Sequence, residues 1–103
     1  MTYRVVMTIA ALHDLDALLD YVRTASGQTN ADSMEATITN AIPTLSDNPH
    51  RCALTRVDGE TRVLVTRQGT SILFAIDEAA EEVVILAIGH RGRDISTLIR
   101  SRR

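Results

Sequence analysis

Residues 70–89 decide the fold; they read Thr-Ser-Ile-Leu-Phe-Ala-Ile-Asp-Glu-Ala-Ala-Glu-Glu-Val-Val-Ile-Leu-Ala-Ile-Gly. Over 70–77, Ile72, Phe74 and Ile76 alternate with other residues and fall on one face of a predicted strand. The acidic segment 78–82 predicts a solvated turn. Residues 83–89 are apolar on both faces, which is typical of a central strand covered on both sides.

Further strand signals precede this stretch. Residues 53–57 and 61–67 are two short runs separated by the turn signal Asp58-Gly59, and Gln68-Gly69 marks the next turn. Near the start of the chain, residues 3–7 are rich in β-branched side chains and predict a first strand. The sequence therefore predicts three or four consecutive strands after residue 50.

Two helices are predicted between the first strand and the others. Thr8 can cap a helix over about residues 9–25, whose apolar residues recur at three- and four-residue steps. Ser26-Gly27 ends this helix, and a second one begins near Thr29 or Asn30. Pro43 removes a backbone donor and should kink or shorten its last turn, before Asp47-Asn48-Pro49 stops it.

This order predicts an α+β fold. An N-terminal strand and a helical hairpin pack on an antiparallel sheet of three to four further strands, and a short helical tail follows at about residues 94–99. We expect residues 101–103 to be frayed. With 103 residues, the whole chain is predicted to form one domain, residues 1–103.

The composition narrows the classes of function. Cys52 is the single cysteine, which excludes an intrachain disulfide and a cysteine-based metal cluster; no metal or cofactor is expected. No apolar stretch is long enough to span a bilayer, and residues 1–4 show no secretion signal, so a cytoplasmic protein is expected. The net charge is −2, but residues 83–103 carry five arginines against Asp94. The C-terminal end is therefore basic.

The chain resembles the RelE/ParE superfamily of toxins from type II toxin–antitoxin systems along nearly its whole length. The first predicted helix carries the pattern Asp14-Leu15, Leu18, Tyr21, and Asn48-Pro49 follows the second helix. Further on come Gly59 and Arg62, then Ile72-Leu73-Phe74 with Asp77. The ending over residues 87–95, Ala-Ile-Gly-His-Arg-Gly-Arg-Asp-Ile, is similar to that of ParE-like members.

This resemblance implies a bacterial growth inhibitor and its partners. A ParE-like toxin poisons DNA gyrase by binding it, without catalytic residues, and is neutralised by a ParD- or RelB-like antitoxin in a hetero-oligomer. A RelE-like toxin is instead a ribosome-dependent mRNA endoribonuclease, and a third alternative is a non-toxic module that still binds an antitoxin. The ending around Arg93-Asp94 and the lack of a C-terminal tyrosine favour the ParE branch.

Five residues are the predicted partner-binding site: Arg62, Arg67, His90, Arg91 and Arg93. The catalytic residues are unknown; in the RelE-like alternative they would be His90 as acid or base with Arg62, Arg91 and Arg93 as phosphate clamps. Each of these functional roles has a structural alternative. His90 could instead be hydrogen-bonded within the fold, to the backbone or to Asp94, and Arg93 and Asp94 could form an ion pair that fixes the C-terminal tail. Arg62 and Arg67 fall on opposite faces of a strand and need not act together.

Overall fold

The computed structural model describes residues 2–90 and 94–102. In chain order the elements are β1 (Arg4–Met7), α1 (Ile9–Ser26), α2 (Gln28–Ala41), two 3₁₀ turns (Ile42–Ser46 and Pro49–Arg51), β2 (Ala53–Leu54), β3 (Arg62–Val65), β4 (Ser71–Asp77), β5 (Glu82–Gly89) and α3 (Ile95–Arg102). Among these residues, no helix is long and apolar enough to cross a membrane.

The strands form one five-stranded sheet in the order β1-β5-β4-β3-β2. Strands β2 to β5 are antiparallel, as predicted, whereas β1 lies parallel to β5 at the edge. The predicted α+β class and the helical hairpin on one face of an antiparallel sheet are confirmed. The parallel edge strand had no signal in the sequence, because a short apolar run does not specify which neighbour it pairs with.

The main core lies between the helical hairpin and one face of the sheet. Its fully buried side chains come from both layers, among them Ala11, Ile38, Leu45, Ile72, Phe74, Val83 and Ile85. On the opposite face, α3 buries Leu98 and Ile99 against Leu73 of β4 and Ala87 of β5. The central strands are therefore covered on both sides near Ala87, whereas Val84 remains half-exposed.

A β-bulge in β5 changes which of its side chains face the helical hairpin and which face α3. Leu73 pairs with Ala87 and Phe74 pairs with Ile85, so Leu86 is an extra residue without a partner on β4. The extra residue shifts the alternation by one position. As a result Ile85 and Ile88 both belong to the core under the hairpin, and Ala87 faces α3.

The local signals for the two helices are confirmed. Thr8 caps α1, its hydroxyl accepting a hydrogen bond from the Ala11 N–H at 3.1 Å. Gly27 joins the helices at a φ of 95°, a backbone conformation that glycine adopts readily. Pro43 ends the α-helical part at Ala41, after which the chain continues as a 3₁₀ turn that buries Leu45 completely.

Three elements differ most from the prediction. Strand β3 ends at Val65 rather than at residue 67, so Arg67 lies in the following turn and not on a strand face opposite Arg62. Strand β2 has two residues rather than the five expected over 53–57. The expectation that residues 101 and 102 fray was wrong: α3 runs to Arg102, because the Arg102 guanidinium binds the Asp14 carboxylate of α1 at 2.7 and 3.0 Å. Residue 103 lies outside the described residues.

Candidate partner-binding groove

A groove of about 510 Å³ runs between α2 and the outer edge of β3. One wall consists of the 3₁₀ residue Thr44 and short side chains of α2; the other is the segment 64–67. The lining residues are Ser33, Ala36, Thr37, Asn40, Ala41, Thr44, Leu64, Val65, Thr66 and Arg67. Because the α2 side chains are short, space remains beside the edge of the sheet. We call this feature the α2–β3 groove.

The groove is open because β2 covers only part of β3. Ala53 and Leu54 pair with Val63 and Arg62, and no described strand pairs with the outer edge of β3 beyond that point. Val65 is 59% exposed, unusual for a valine within a sheet. The groove therefore combines an exposed apolar residue and small side chains of mixed polarity with an uncovered strand edge.

Arg67 is the charged residue in the lining of the α2–β3 groove and is exposed. It lies in the turn between β3 and β4, where the Thr66 N–H donates to the Thr70 carbonyl at 2.9 Å. In the same turn the Gln68 side chain donates to the Ser33 hydroxyl at 3.4 Å, which joins the turn to α2. This contact holds Arg67 at one end of the groove.

His90 lies at the same end of the sheet as Arg67. Ser71 pairs with Gly89, so the β3–β4 turn and the end of β5 are neighbours. The His90 Nδ1 atom is buried and has no hydrogen-bond partner within residues 2–90 and 94–102. A structural bond from Nδ1 to Asp94 is thus not formed. Arg91 and Arg93 follow directly in the sequence and lie outside the described residues.

Arg62 lies at the other end of β3. It pairs with Phe74, which pairs with Ile85, and His90 follows Ile85 by five residues, directly after the end of β5. At a rise of ~3.3 Å per residue, Arg62 and His90 are roughly 15 Å apart along the strand direction. The Arg62 guanidinium donates to the Cys52 carbonyl at 2.7 Å and to the His50 carbonyl at 3.2 Å. The structure therefore places Arg67 and His90 at the same end of the sheet, on the two sides of β4, and holds Arg62 at the opposite end.

A second polar cluster, which sequence reasoning missed, surrounds Glu78. The Tyr3 hydroxyl donates to Glu78 Oε2 at 3.0 Å, and His50 Nε2 lies 2.7 Å from Glu78 Oε1. Burial, and then the contact with Glu78, raise the pKa of Tyr3 above its usual value of 10.0. Tyr3 therefore stays protonated and holds β1 to the end of β4. The three residues come from distant segments, so no local pattern could indicate the cluster.

The Asp14–Arg102 contact was also missed, although Asp14 belongs to the motif of the first helix. The Asp14 carboxylate accepts from the Ile88 N–H at 3.0 Å, and Arg102 donates to the Leu86 carbonyl at 3.1 Å. These bonds satisfy the backbone of β5 beyond the end of β1. The hydrogen bond to Asp14, more than any other contact, raises the pKa of Arg102.

Asp94 caps the N-terminal end of α3. The predicted ion pair between Arg93 and Asp94 falls outside the described residues, because Arg93 is one of those not described. The Asp94 carboxylate accepts from the Thr97 hydroxyl at 2.8 Å and from the Thr97 N–H at 3.2 Å. This is the pattern of a helix N-cap, and it starts α3. The bonds from Thr97 lower the pKa of Asp94 below 3.8.

In the part of the chain that the structure describes, no three His, Cys, Asp or Glu side chains lie close enough to hold a metal ion. The chemistry offered by the described site is hydrogen bonding at a strand edge, apolar contact and one cationic side chain. These are the means by which a polypeptide is bound.

Comparison with known protein families and solved structures identifies the family to which the chain belongs. The chain belongs to the family described as "ParE toxin of type II toxin-antitoxin system, parDE", whose model matches residues 5–95. A chain of the chromosomal ParDE toxin–antitoxin system of P. aeruginosa is similar in structure, with a TM-score of 0.74 and 24% sequence identity, covering 86% of this chain and 96% of that one.

Two further solved structures are similar in fold. A chain of the toxin–antitoxin complex RelBE2 from Mycobacterium tuberculosis has a TM-score of 0.65 and 27% identity over 88% of this chain and 100% of that one. A mutant of E. coli toxin RelE in the free state has a TM-score of 0.64 and 12% identity over 99% and 95%. Comparison with curated protein sequences finds no match. The chain is thus a RelE/ParE-superfamily protein of the ParE-like branch.

Proposed function

We propose that this protein inhibits bacterial growth by binding DNA gyrase in the cytoplasm, and that a ParD- or RelB-like antitoxin neutralises it by occupying the α2–β3 groove. Membership of the ParE toxin family supports the toxin role. The similar chains from P. aeruginosa and M. tuberculosis come from toxin–antitoxin pairs, which supports an antitoxin partner and a hetero-oligomer.

The observation that carries the choice of branch is the match of the ParE toxin family model to residues 5–95. A nuclease that cleaves RNA must place an acid or base and a cationic clamp around one phosphate. Of the arginines predicted as clamps, Arg62 is held at the opposite end of β3 by two backbone carbonyls. Of the two tyrosines, Tyr3 is buried against Glu78 and Tyr21 is exposed on α1. The family match and these placements support a binding mechanism.

The remaining candidate residues are proposed as partner contacts. Arg67 lines one end of the groove, His90 lies at the same end of the sheet, and Arg91 and Arg93 follow His90 in sequence. We assign these four residues to contacts with acidic side chains of the antitoxin. Arg62 contributes indirectly, because it fixes the segment before β2 and so keeps the edge of β3 open.

A supercoiling assay with purified gyrase tests the target. We expect the purified protein to inhibit supercoiling of relaxed plasmid, and we expect mRNA to remain intact in a translation extract that receives the same amount of protein. An unaffected gyrase together with cleaved mRNA would support the RelE-like alternative. No effect in either assay would support a non-toxic antitoxin-binding module.

Charge reversal tests the antitoxin contact. The antitoxin can be isolated as the genomic fragment of the source organism that restores growth when the toxin is induced. We expect Arg67→Glu to weaken its binding about tenfold or more, because a complementary charge becomes repulsive. Arg56→Glu is the matched control, since Arg56 is also exposed but lies in the β2–β3 turn outside the groove. Equal affinities of the two variants would contradict the assignment.

A further inference from the structure

We infer that the outer edge of β1 is a self-association surface, at which a second copy of this chain adds its own β1 in the antiparallel direction and so joins the two five-stranded sheets. Strand β1 lies at one end of the strand order, and the α2–β3 groove lies toward the other end. The inference does not rest on the proposed function, because it concerns neither gyrase nor the antitoxin.

Two residues of β1 present their backbone groups away from the sheet. The N–H groups of Arg4 and Thr8 donate to carbonyls of β5 and of the turn before it, at 2.9 and 3.0 Å, so the even-numbered residues bond to β5. Odd-numbered residues point the other way, because the backbone groups of a paired strand alternate in direction. Within residues 2–90 and 94–102, the outward groups of Val5 and Met7 form no hydrogen bond.

The open stretch of this edge is bounded at both ends. The Tyr3 N–H donates to the Ser46 carbonyl at 2.9 Å, so the edge is already covered there. After Met7 the chain turns into α1, which begins at Ile9. A second β1 offers the same open length, and it turns into its own helix where this edge closes. The two edges therefore match in length.

One register uses all of the outward groups. An antiparallel copy that places its Met7 opposite Val5 also places its Val5 opposite Met7, and each pair exchanges both of its N–H···O bonds. Placing Val5 opposite Val5, or Met7 opposite Met7, forms a single pair of this kind. The favoured register puts Val6 opposite Val6 of the second copy, on a two-fold axis.

Charge also favours a second copy as the occupant. Asp47 bridges Thr2 at the start of β1, and Glu81 lies there too; Arg4 neutralises Glu82, so this end stays acidic. At the other end of β1, α1 begins with no acidic residue in its first turn, and its unpaired N–H groups give that end a partial positive charge. An antiparallel copy brings the acidic end of each chain to the α1 N-terminus of the other.

Apolar side chains border the open backbone groups. Val5 and Met7 are half-buried on the side of the helical hairpin, and Val6 is half-exposed on the opposite face of the sheet. In the favoured register the two Val6 side chains become cross-strand neighbours, an arrangement that suits β-branched residues. Because the strand is short, the interface is small, and we expect a weak dimer that dissociates on dilution.

The joined sheet leaves both α2–β3 grooves accessible. Seven strand spacings of about 4.8 Å separate the β3 strands of the two copies, so these strands lie roughly 34 Å apart. Self-association through β1 and occupation of the groove are therefore compatible.

Amide exchange in the unmodified full-length protein tests the pairing. We expect the Val5 and Met7 amides to exchange at least threefold more slowly at about 1 mM protein than at about 10 µM, because pairing protects outward N–H groups. Val6 is the internal control, since its N–H points to β5 at every concentration. The mass measured by analytical ultracentrifugation should rise toward that of two chains over the same range.

Substitutions at the two-fold axis test the register. Val6→Lys and Val6→Glu should each abolish the dimer, because like charges would face one another, and an equimolar mixture of the two variants should restore it. Val84→Lys is the matched control and should still dimerise. Val84 pairs with Val6, is likewise half-exposed on the same face, and lies one strand further from the axis. Circular dichroism checks that each variant is folded.

Three results would overturn the inference. The first is a mass that stays that of one chain up to the highest concentration. The second is exchange at Val5 and Met7 that does not depend on concentration. The third is a dimer that survives Val6→Lys, which would assign the association to another surface. Gyrase inhibition is measured in a separate assay, so none of these results bears on the proposed target.

Discussion

Asp14 shows how one residue can join three elements. It lies on α1, receives the N–H of Ile88 on β5 and binds the guanidinium of Arg102 on α3. The two side chains are 10% and 21% exposed, so this ion pair is far less hydrated than a surface pair. Its role is structural: it holds α3 across the end of the sheet and completes the hydrogen bonds of the bulged strand.

Loss of this contact should destabilise the fold. We expect Arg102→Ala to lower the free energy of unfolding by roughly 2–3 kcal/mol, somewhat less than for a fully buried pair, because the Asp14 carboxylate loses its cation. Urea titration followed by circular dichroism measures the change. Arg100→Ala is the matched control, because Arg100 is exposed on the same helix. A difference below ~0.5 kcal/mol between the variants would refute the structural role.

Asp94 predicts a dependence of stability on pH. Its pKa is lowered in the folded protein by the hydrogen bonds from Thr97. A carboxyl whose folded pKa is depressed stabilises the fold above its unfolded pKa, and this contribution is lost as the pH falls through the folded pKa. We therefore expect the urea midpoint of the wild type to fall below about pH 4 more steeply than that of Asp94→Asn, which still caps the helix. Parallel curves would rule out this contribution.

The elements that the sequence predicted best are those with a local cause. Thr8, Gly27 and Pro43 each act on adjacent backbone, and the helix ends follow them within one or two residues. The failures have two causes. Strand β2 ends at Leu54 because the turn to β3 already begins at Arg56, where the Asp58 carboxylate accepts from the Thr61 N–H. Helix α3 is long because Arg102 reaches Asp14, which is distant in sequence.

The candidate site was predictable only in part for the same reason. The placement of Arg67 and His90 at one end of the sheet follows from the two turns that reverse the chain between β3, β4 and β5. The α2–β3 groove does not, because its shape depends on small side chains of α2 and on the missing length of β2. The Tyr3–His50–Glu78 cluster likewise joins three segments that only the folded chain brings together.

Gly27 provides a test at the scale of the hairpin. Its φ of 95° is unfavourable for a residue with a Cβ, although no atom lies within 4 Å of the place where a Cβ would stand. Gly27→Ala should therefore lower the free energy of unfolding by about 1–2 kcal/mol through backbone strain alone. Ser26→Ala serves as the control at an ordinary helical position. An unchanged urea midpoint for Gly27→Ala would contradict the strain argument.

At the scale of the whole molecule, charge is divided between the two ends of the sheet. The end of β4 and the turn after it carry Asp77, Glu78 and Glu81, and the opposite end of the sheet carries Arg67 and His90. The sequence adds Arg91 and Arg93 beside His90. A basic end beside the α2–β3 groove suits an acidic partner, because opposite charges speed association and fix the direction of binding. Binding of the antitoxin should therefore slow as salt is added.

The target is the central claim, and pulse labelling in bacteria tests it most directly. After tightly controlled induction, thymidine and methionine incorporation are followed in parallel in the same culture. A gyrase-directed toxin predicts a prompt fall in thymidine incorporation while methionine incorporation is initially maintained. An immediate collapse of methionine incorporation with DNA synthesis initially maintained would contradict it and place the action on translation.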